Sequence, residues 1–153
     1  MSYHLLALGC LSASGALMSW SDMVYRRLPN VVTGIVALGG IVTSLTELGF
    51  DQMFSNLLHM LIALGIGFIV FATSLIGSGD AKYYAAVSAW FPLVEALQLL
   101  GWVALAGFLV TLVWLVHSRL DRPSDPEDQD FGKVPFGVAI AAGSILAITS
   151  LLR

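Results

Sequence analysis

The chain has 153 residues, 58% of them apolar and only 11% charged, with a mean hydropathy of +0.87, a balance that excludes an ordinary soluble domain and assigns the protein to a bilayer. The single cysteine allows neither a disulfide framework nor a cysteine zinc cluster within one chain; no nucleic-acid partner is expected, and the net charge of -3 by itself says little. Where the charges sit carries more information than their sum.

Six apolar stretches follow one another, at residues 3–21, 31–48, 53–76, 81–91, 93–117 and 134–152, most of them near the ~20 residues that cross a hydrocarbon core. The first has no Lys or Arg before it and a basic segment after it, the reverse of a secretory signal, so it is expected to stay in the protein. Cys10 lies inside it and reads as packing. At its end stands Asp22, followed by Arg26, Arg27, Leu28, Pro29 and Asn30. Pro29 stops the first helix from continuing, and Asn30 is placed to cap the second. The third stretch contains His59, which reads as a hydrogen-bonded packing histidine. Gly77, Ser78, Gly79 and Asp80 open the fourth stretch. It is too short to span at about 1.5 Å per residue, so it is either a short buried helix or shares residues with the fifth across Pro92. The segment 118–133 contains Pro123, Pro126 and the acidic run Asp125, Glu127, Asp128 and Asp130, and reads as a solvated cytoplasmic loop without the spacing of a calcium loop.

With six crossings, one face holds Arg26, Arg27, Lys82, Arg119, Arg122 and Lys133, and the other only Arg153. The positive-inside rule makes the first face cytoplasmic and both termini periplasmic. The expected fold is an all-α polytopic membrane helix bundle of about six transmembrane helices forming one domain. On this topology Asp22 and Asp80, distant in sequence, reach the same depth at the same face. Carboxylates there are costly and point to function. Asp80, at a helix start, has a structural reason to exist as a cap. Asp22, at a helix end, opposes the dipole, and a pairing with Arg26 is its one structural alternative. Gly77 and Gly79 offer left-handed backbone or close approach of another chain.

Asp22-x-x-x-Arg26-x-Leu28-Pro29-Asn30 and Gly77-x-Gly79-Asp80-x-Lys82 resemble the two signature segments of the type IV prepilin peptidases, membrane aspartic peptidases of the Gly-x-Gly-Asp kind. Pro135-Phe136-Gly137, running on to Gly143, resembles the start of that family's last helix. The resemblance implies a bacterial inner-membrane endopeptidase without a metal or other cofactor. Asp22 and Asp80 would be its catalytic pair, with Arg26, Pro29, Asn30, Gly77, Gly79 and Lys82 in binding or supporting roles. Its implied substrate is a prepilin with a basic cytoplasmic leader and an apolar helix in the bilayer, cut at their junction. Many relatives carry a cytoplasmic insertion with four cysteines, linked to N-methylation of the product. Here the link is only residues 23–30 with no cysteine, as in the short, peptidase-only form associated with Flp/Tad pili. Preflagellin- and presenilin-like peptidases, a proton-coupled carrier and a non-catalytic scaffold remain alternatives.

Two adjacent carboxylates share a proton more readily than both ionise. The helix dipoles suggest that Asp22, at a C-terminus, holds that proton and that Asp80, at an N-terminus, stays charged.

Overall fold

The computed structural model describes residues 2–25, 28–73, 76–120 and 136–152, with the side chains of 118–120 outside that description. Six α-helices run in order: α1 Ser2–Tyr25, α2 Asn30–Leu48, α3 Phe50–Ala72, α4 Ser78–Ser88, α5 Ala96–Leu120 and α6 Phe136–Ser150, with a 3₁₀ turn at Leu93–Glu95 before α5. Three segments are long and apolar enough to cross a membrane, Asn30–Leu48, Phe50–Ala72 and Leu93–His117, and α6 is a shorter apolar helix. The fold is an all-α membrane helix bundle.

Its side chains are arranged for lipid rather than water. Large apolar residues face outward, among them Trp20, Val31, Phe50, Val94 and Phe108, while Ala7, Ala85, Ala86, Ala139 and Ala147 fill the interior. Without a hydrophobic drive between helices in lipid, small residues that let backbones approach are what hold a bundle together. The helices pack most extensively as α5 on α6, α1 on α6 and α3 on α4.

Of the two readings of the fourth stretch, the structure has the short buried helix. At 11 residues, α4 is about 16 Å long, roughly half of a bilayer core. Its chain then leaves helical geometry through a turn in which Ala89, Trp90 and Phe91 are almost wholly buried. Buried non-helical backbone must find partners within the protein, because lipid supplies none. Here side chains of α1 and α3 supply them in succession. Asn56 Nδ2 donates to the Ala89 carbonyl at 3.1 Å and to Tyr3 Oη at 3.2 Å. Tyr3 Oη in turn donates to the Trp90 carbonyl at 2.8 Å. The His59 Nδ1–H meets the Phe91 carbonyl at 2.9 Å, and Ser55 Oγ accepts from the Leu93 N–H at 3.0 Å. The Trp90 indole reaches across to the Val36 carbonyl of α2 at 2.9 Å. His59 is thus the packing histidine that the sequence suggests.

This clamp sets two expectations for stability. His59→Phe keeps the ring volume but leaves the Phe91 carbonyl buried without a donor, a loss of about 1–3 kcal/mol. Asn56→Leu also strands a carbonyl, but Asn56 Oδ1 is itself buried without a partner, so removing it offsets part of the cost. Thermal or denaturant unfolding in detergent should therefore rank His59→Phe as the more damaging change. The reverse order would mean that the histidine contact is the weaker of the two.

Candidate active site

Asp22 lies in the last turn of α1, which continues to Tyr25, four residues beyond the predicted end of the stretch. The carboxylate is buried, and its Oδ2 accepts a hydrogen bond from the Gly137 N–H at 2.9 Å. Gly137 is in the first turn of α6, where backbone N–H groups have no partner inside their own helix and the dipole is positive. Asp22 therefore does have a structural reason for its place: the start of α6 offers what the end of α1 denies. Arg26, its alternative partner, lies outside the described residues, as do Arg27, Lys133, Pro135 and the acidic run at 125–130.

Asp80 is the third residue of α4, whose N-cap is Gly77. Its carboxylate accepts a hydrogen bond from the Gly77 backbone, which is the back-reaching half of a capping box. The cap expected of Asp80 is present. Because α4 is too short to cross a bilayer, its first turn is not part of a spanning segment. The Asp80 carboxyl is pushed up to about 6, by burial first and by the negative charge of Asp22 second, against the lowering effect of the Gly77 bond.

The two aspartates, 58 residues apart in the sequence, are thus brought near enough for the charge of Asp22 to act on Asp80. The raised Asp80 carboxyl runs against the charged state that the dipole at the start of α4 favours for it. A helix end is worth about 0.3–1 kcal/mol, less than the cost of charging a half-buried carboxyl beside a like charge. Asp22 meanwhile has the α6 N-terminus on it. Burial and the charge of Asp22 push Asp80 toward its protonated form.

Gly77 and Gly79 are needed for close approach and not for left-handed backbone. Gly77 has φ -72° and ψ 148°, and among the described residues the one positive-φ glycine is Gly49. A Cβ on Gly77 would stand 2.8 Å from Asp80 Oδ2, and one on Gly79 would stand 3.3 Å from Leu28 Cβ. Gly137 is hemmed in on two sides: its Cβ would meet Asp22 Oδ2 at 2.9 Å and Leu28 Cδ2 at 3.1 Å. Leu28 is consequently packed against the first turns of both α4 and α6, and it bridges the two carboxylates' supports.

The other predicted supporting residues divide. Pro29 is the N-cap residue of α2, and its carbonyl accepts from the Thr33 backbone N–H at 3.1 Å and from Thr33 Oγ1 at 3.2 Å. Asn30 does not cap α2. It is the helix's first residue, no side-chain capping bond forms there, and its Oδ1 instead accepts from Lys82 Nζ at 3.4 Å. Asn30 and Lys82 are both exposed and tie the starts of α2 and α4 together, a contact of small energetic weight in solvent. The charge that acts on Asp80 is that of Asp22. Leu28 and Gly137 are the positioning residues absent from the predicted site. Both stand in the sequence segments that carry the resemblance, but only the fold brings them together.

The family model described as type IV leader peptidase family matches residues 9–115, which include both aspartates. The chain belongs to the type IV leader peptidase family. No curated protein and no solved structure matches the chain. Membership makes the protein a membrane peptidase, and hydrolysis of a peptide bond is the chemistry that the two carboxyls must be weighed against. The start of α6 lies beyond the matched span, so the Gly137 contact to Asp22 comes from the fold alone.

Replacing Gly137 tests that contact in the leader peptidase. Gly137→Ala has to displace the Asp22 carboxylate or Leu28, and a shift of about 1 Å in a reacting group costs on the order of 10²-fold in rate. Peptidase activity should fall by that order while the helical circular dichroism persists. Gly101→Ala, whose Cβ meets nothing within 4 Å, serves as the control and should leave both unchanged. Full activity in Gly137→Ala would show that the α6 N–H does not position Asp22.

Proposed function

We propose that the protein is an intramembrane aspartic endopeptidase that removes the leader of type IV, Flp-like prepilins at the cytoplasmic face of the bacterial inner membrane, without N-methylation. The observation that carries this reading is the placement of Asp22 and Asp80, two carboxyls from separate helices, at the first turns of α6 and α4, where Leu28 packs against both turns. Orientation rests on the basic residues of the segments 23–30, 77–82 and 118–133, which put those segments in the cytoplasm and both termini in the periplasm. Residues 118–133 then form the cytoplasmic loop of a single-domain enzyme, although α5 continues to Leu120. The short link after α1 supports the peptidase-only form.

In the proposed reaction, Asp22 is the carboxylate and Asp80 the acid. Asp22 takes a proton from a water as that water attacks the scissile carbonyl carbon, and Asp80 donates its proton toward the carbonyl oxygen. The tetrahedral intermediate collapses by breaking the C–N bond as the proton held by Asp22 passes to the leaving amine and one hydroxyl proton of the intermediate returns to Asp80, which restores the starting pair. The product pair is a free leader and a pilin with a new N-terminus. The Gly137 N–H keeps Asp22 oriented throughout, and the Gly77 bond does the same for Asp80.

Co-expression with a prepilin tests the reading directly. Leader removal should occur with wild type and be lost with Asp22→Asn and with Asp80→Asn, followed by the size of the pilin on a gel. Processing that persists in either variant would sink the paired mechanism. A preflagellin cleaved in preference to the prepilin would move the substrate class and leave the mechanism in place.

The pH dependence has a definite sign. The active form holds one proton on the pair, and Asp80's carboxyl is raised to about 6, so kcat/KM falls as pH rises through that region and the proton is lost. The midpoint of that limb belongs to the coupled pair. Asp22→Asn removes one of the two causes that raise Asp80, so the Asp80 carboxyl should titrate at lower pH in that variant, read by infrared spectroscopy of the carboxyl band. An unmoved midpoint would mean that the two groups are not coupled.

A further inference from the structure

The molecule has a second feature that the aspartate pair leaves unexplained. α3 packs on α4 and α5 packs on α6, and between the two packed units a cavity of about 550 Å³ opens, lined by residues of α3, α4, α5 and α6. Its walls are almost wholly apolar, with Ile62 and Ile66 from α3 facing Leu100 and Ala104 from α5. Tyr84 of α4 contributes to its floor, and His59 and Ala96 mark the end nearest the buried turn. Asp80 belongs to the lining at the opposite end.

Several observations give this groove a direction. Its α3 wall runs from His59 to Val70, and at about 1.5 Å per residue that is about 16 Å, half the thickness of a bilayer core. Its rims are exposed to the surroundings of the bundle at Ile66, Leu97, Leu100 and Phe108. Small residues recur on both walls, Ala63 and Gly67 on α3, Ala104 and Gly107 on α5, the spacing that lets a further helix approach closely in lipid. Gly67 is already used by α4, since its Cβ would meet Ala81 Cβ at 3.0 Å. Ala63 is buried in the wall, and Ala104, which is exposed, is the small-residue contact open to a guest. An apolar trough that opens sideways and has an ionisable carboxyl at one end is continuous with the active site and shares its chemistry.

We propose that this groove between α3 and α5 is the lateral docking site for the apolar helix of the substrate, which enters from the lipid and places its junction with the polar leader at Asp80. The inference rests on the prepilin peptidase reading and adds to it a route and a face: the substrate helix lies against α3 and α5, and Asp22 is reached from behind the pair, through α6. The occupant is a single apolar helix, because the walls offer apolar burial over half a bilayer. Its cut end lies at the Asp80 level, where Lys82 and Asn30 mark the polar boundary.

The experiment uses the full chain in proteoliposomes with a prepilin that has a basic leader and an apolar helix, and with the same prepilin shortened to its leader and junction. A photo-crosslinking amino acid is placed at Ile66, Leu100 or Ala104 in the groove, and at Val42 and Leu105, exposed positions outside it. The groove positions should crosslink to the apolar segment of the substrate and the other two should not. Ala104→Trp should also lower the ratio of full-length to shortened-substrate cleavage by about tenfold or more, because binding energy from the remote apolar segment is what it removes. Leu105→Trp, one residue along on another face, should leave the ratio unchanged. If wild type cleaves but crosslinks form equally at Val42 or Leu105, or at the groove only with lipid, the docking site is wrong and the peptidase reading stands. Absence of cleavage by wild type overturns the peptidase reading and this inference with it. The crosslinking arm keeps its force even where Ala104→Trp fails to fold.

Discussion

Backbone that leaves a helix inside a bilayer has no water to bond with, and the rest of this structure is arranged around one such place. The chain breaks at residues 89–93, where α4 ends after 11 residues. Three consecutive carbonyls there are taken up by Asn56, Tyr3 and His59. Each bond costs or gains little by itself, but an unmade one in lipid costs several times more. The clamp therefore fixes where α4 stops, and a rigid helix of known length fixes where it starts. Its start is Asp80. The height of one carboxyl in the membrane is thus determined about 16 Å away, by polar side chains on α1 and α3 that touch no part of the site.

The second carboxyl is fixed by a different economy. Asp22 is on the unfavourable end of its own helix and on the favourable end of another, because α1 and α6 run side by side and the last turn of α1 meets the first of α6. Both aspartates therefore sit at helix N-termini, one through the chain and one through space. That common placement could have made both carboxyls easy to ionise. Burial and mutual repulsion prevent it, and the balance falls on Asp80. The proposed reaction needs one base and one acid from the same residue type. The difference here comes from partners: Asp22 takes an N–H from a neighbouring helix, and Asp80 lies at the end of an apolar groove.

What the sequence disclosed follows from which forces are local. Apolar stretches and their breaks give six helices because lipid demands length and hydropathy from each span alone, and the observed helices agree with the predicted stretches to within a few residues. The shortness of α4 was visible for the same reason. His59 as a packing residue could be read from its apolar surroundings. Asn30 could not be placed, since a residue that follows proline at a helix start is as well suited to capping as to meeting a lysine 52 positions on. The reason for Gly77 and Gly79 was half legible: glycine before a carboxylate signals either unusual dihedrals or close approach, and only the Asp80 and Leu28 atoms around them decide for approach. The cap on Asp22 and the groove were illegible, because each is made by helices far apart in the chain. No periodicity within α3 or α5 announces that they stay apart from each other.

The same division explains why the active pair depends on few residues. Asp22 belongs to the unit of α1, α5 and α6, and Asp80 to that of α3 and α4, and each unit is packed more extensively within itself than against the other. The separation of the carboxyls is therefore not set by either unit's interior. It is set where the units meet, at the first turns of α4 and α6. Leu28 lies against both turns, close enough that a methyl group on Gly79 or Gly137 would press on it. Larger side chains at those two glycines would move the turns apart or displace Leu28, and either movement changes the distance between the two carboxyls. Two glycines and one leucine thus carry a geometric constraint that neither core could impose, and their small size is what lets two carboxyls come within reach of each other inside a membrane protein.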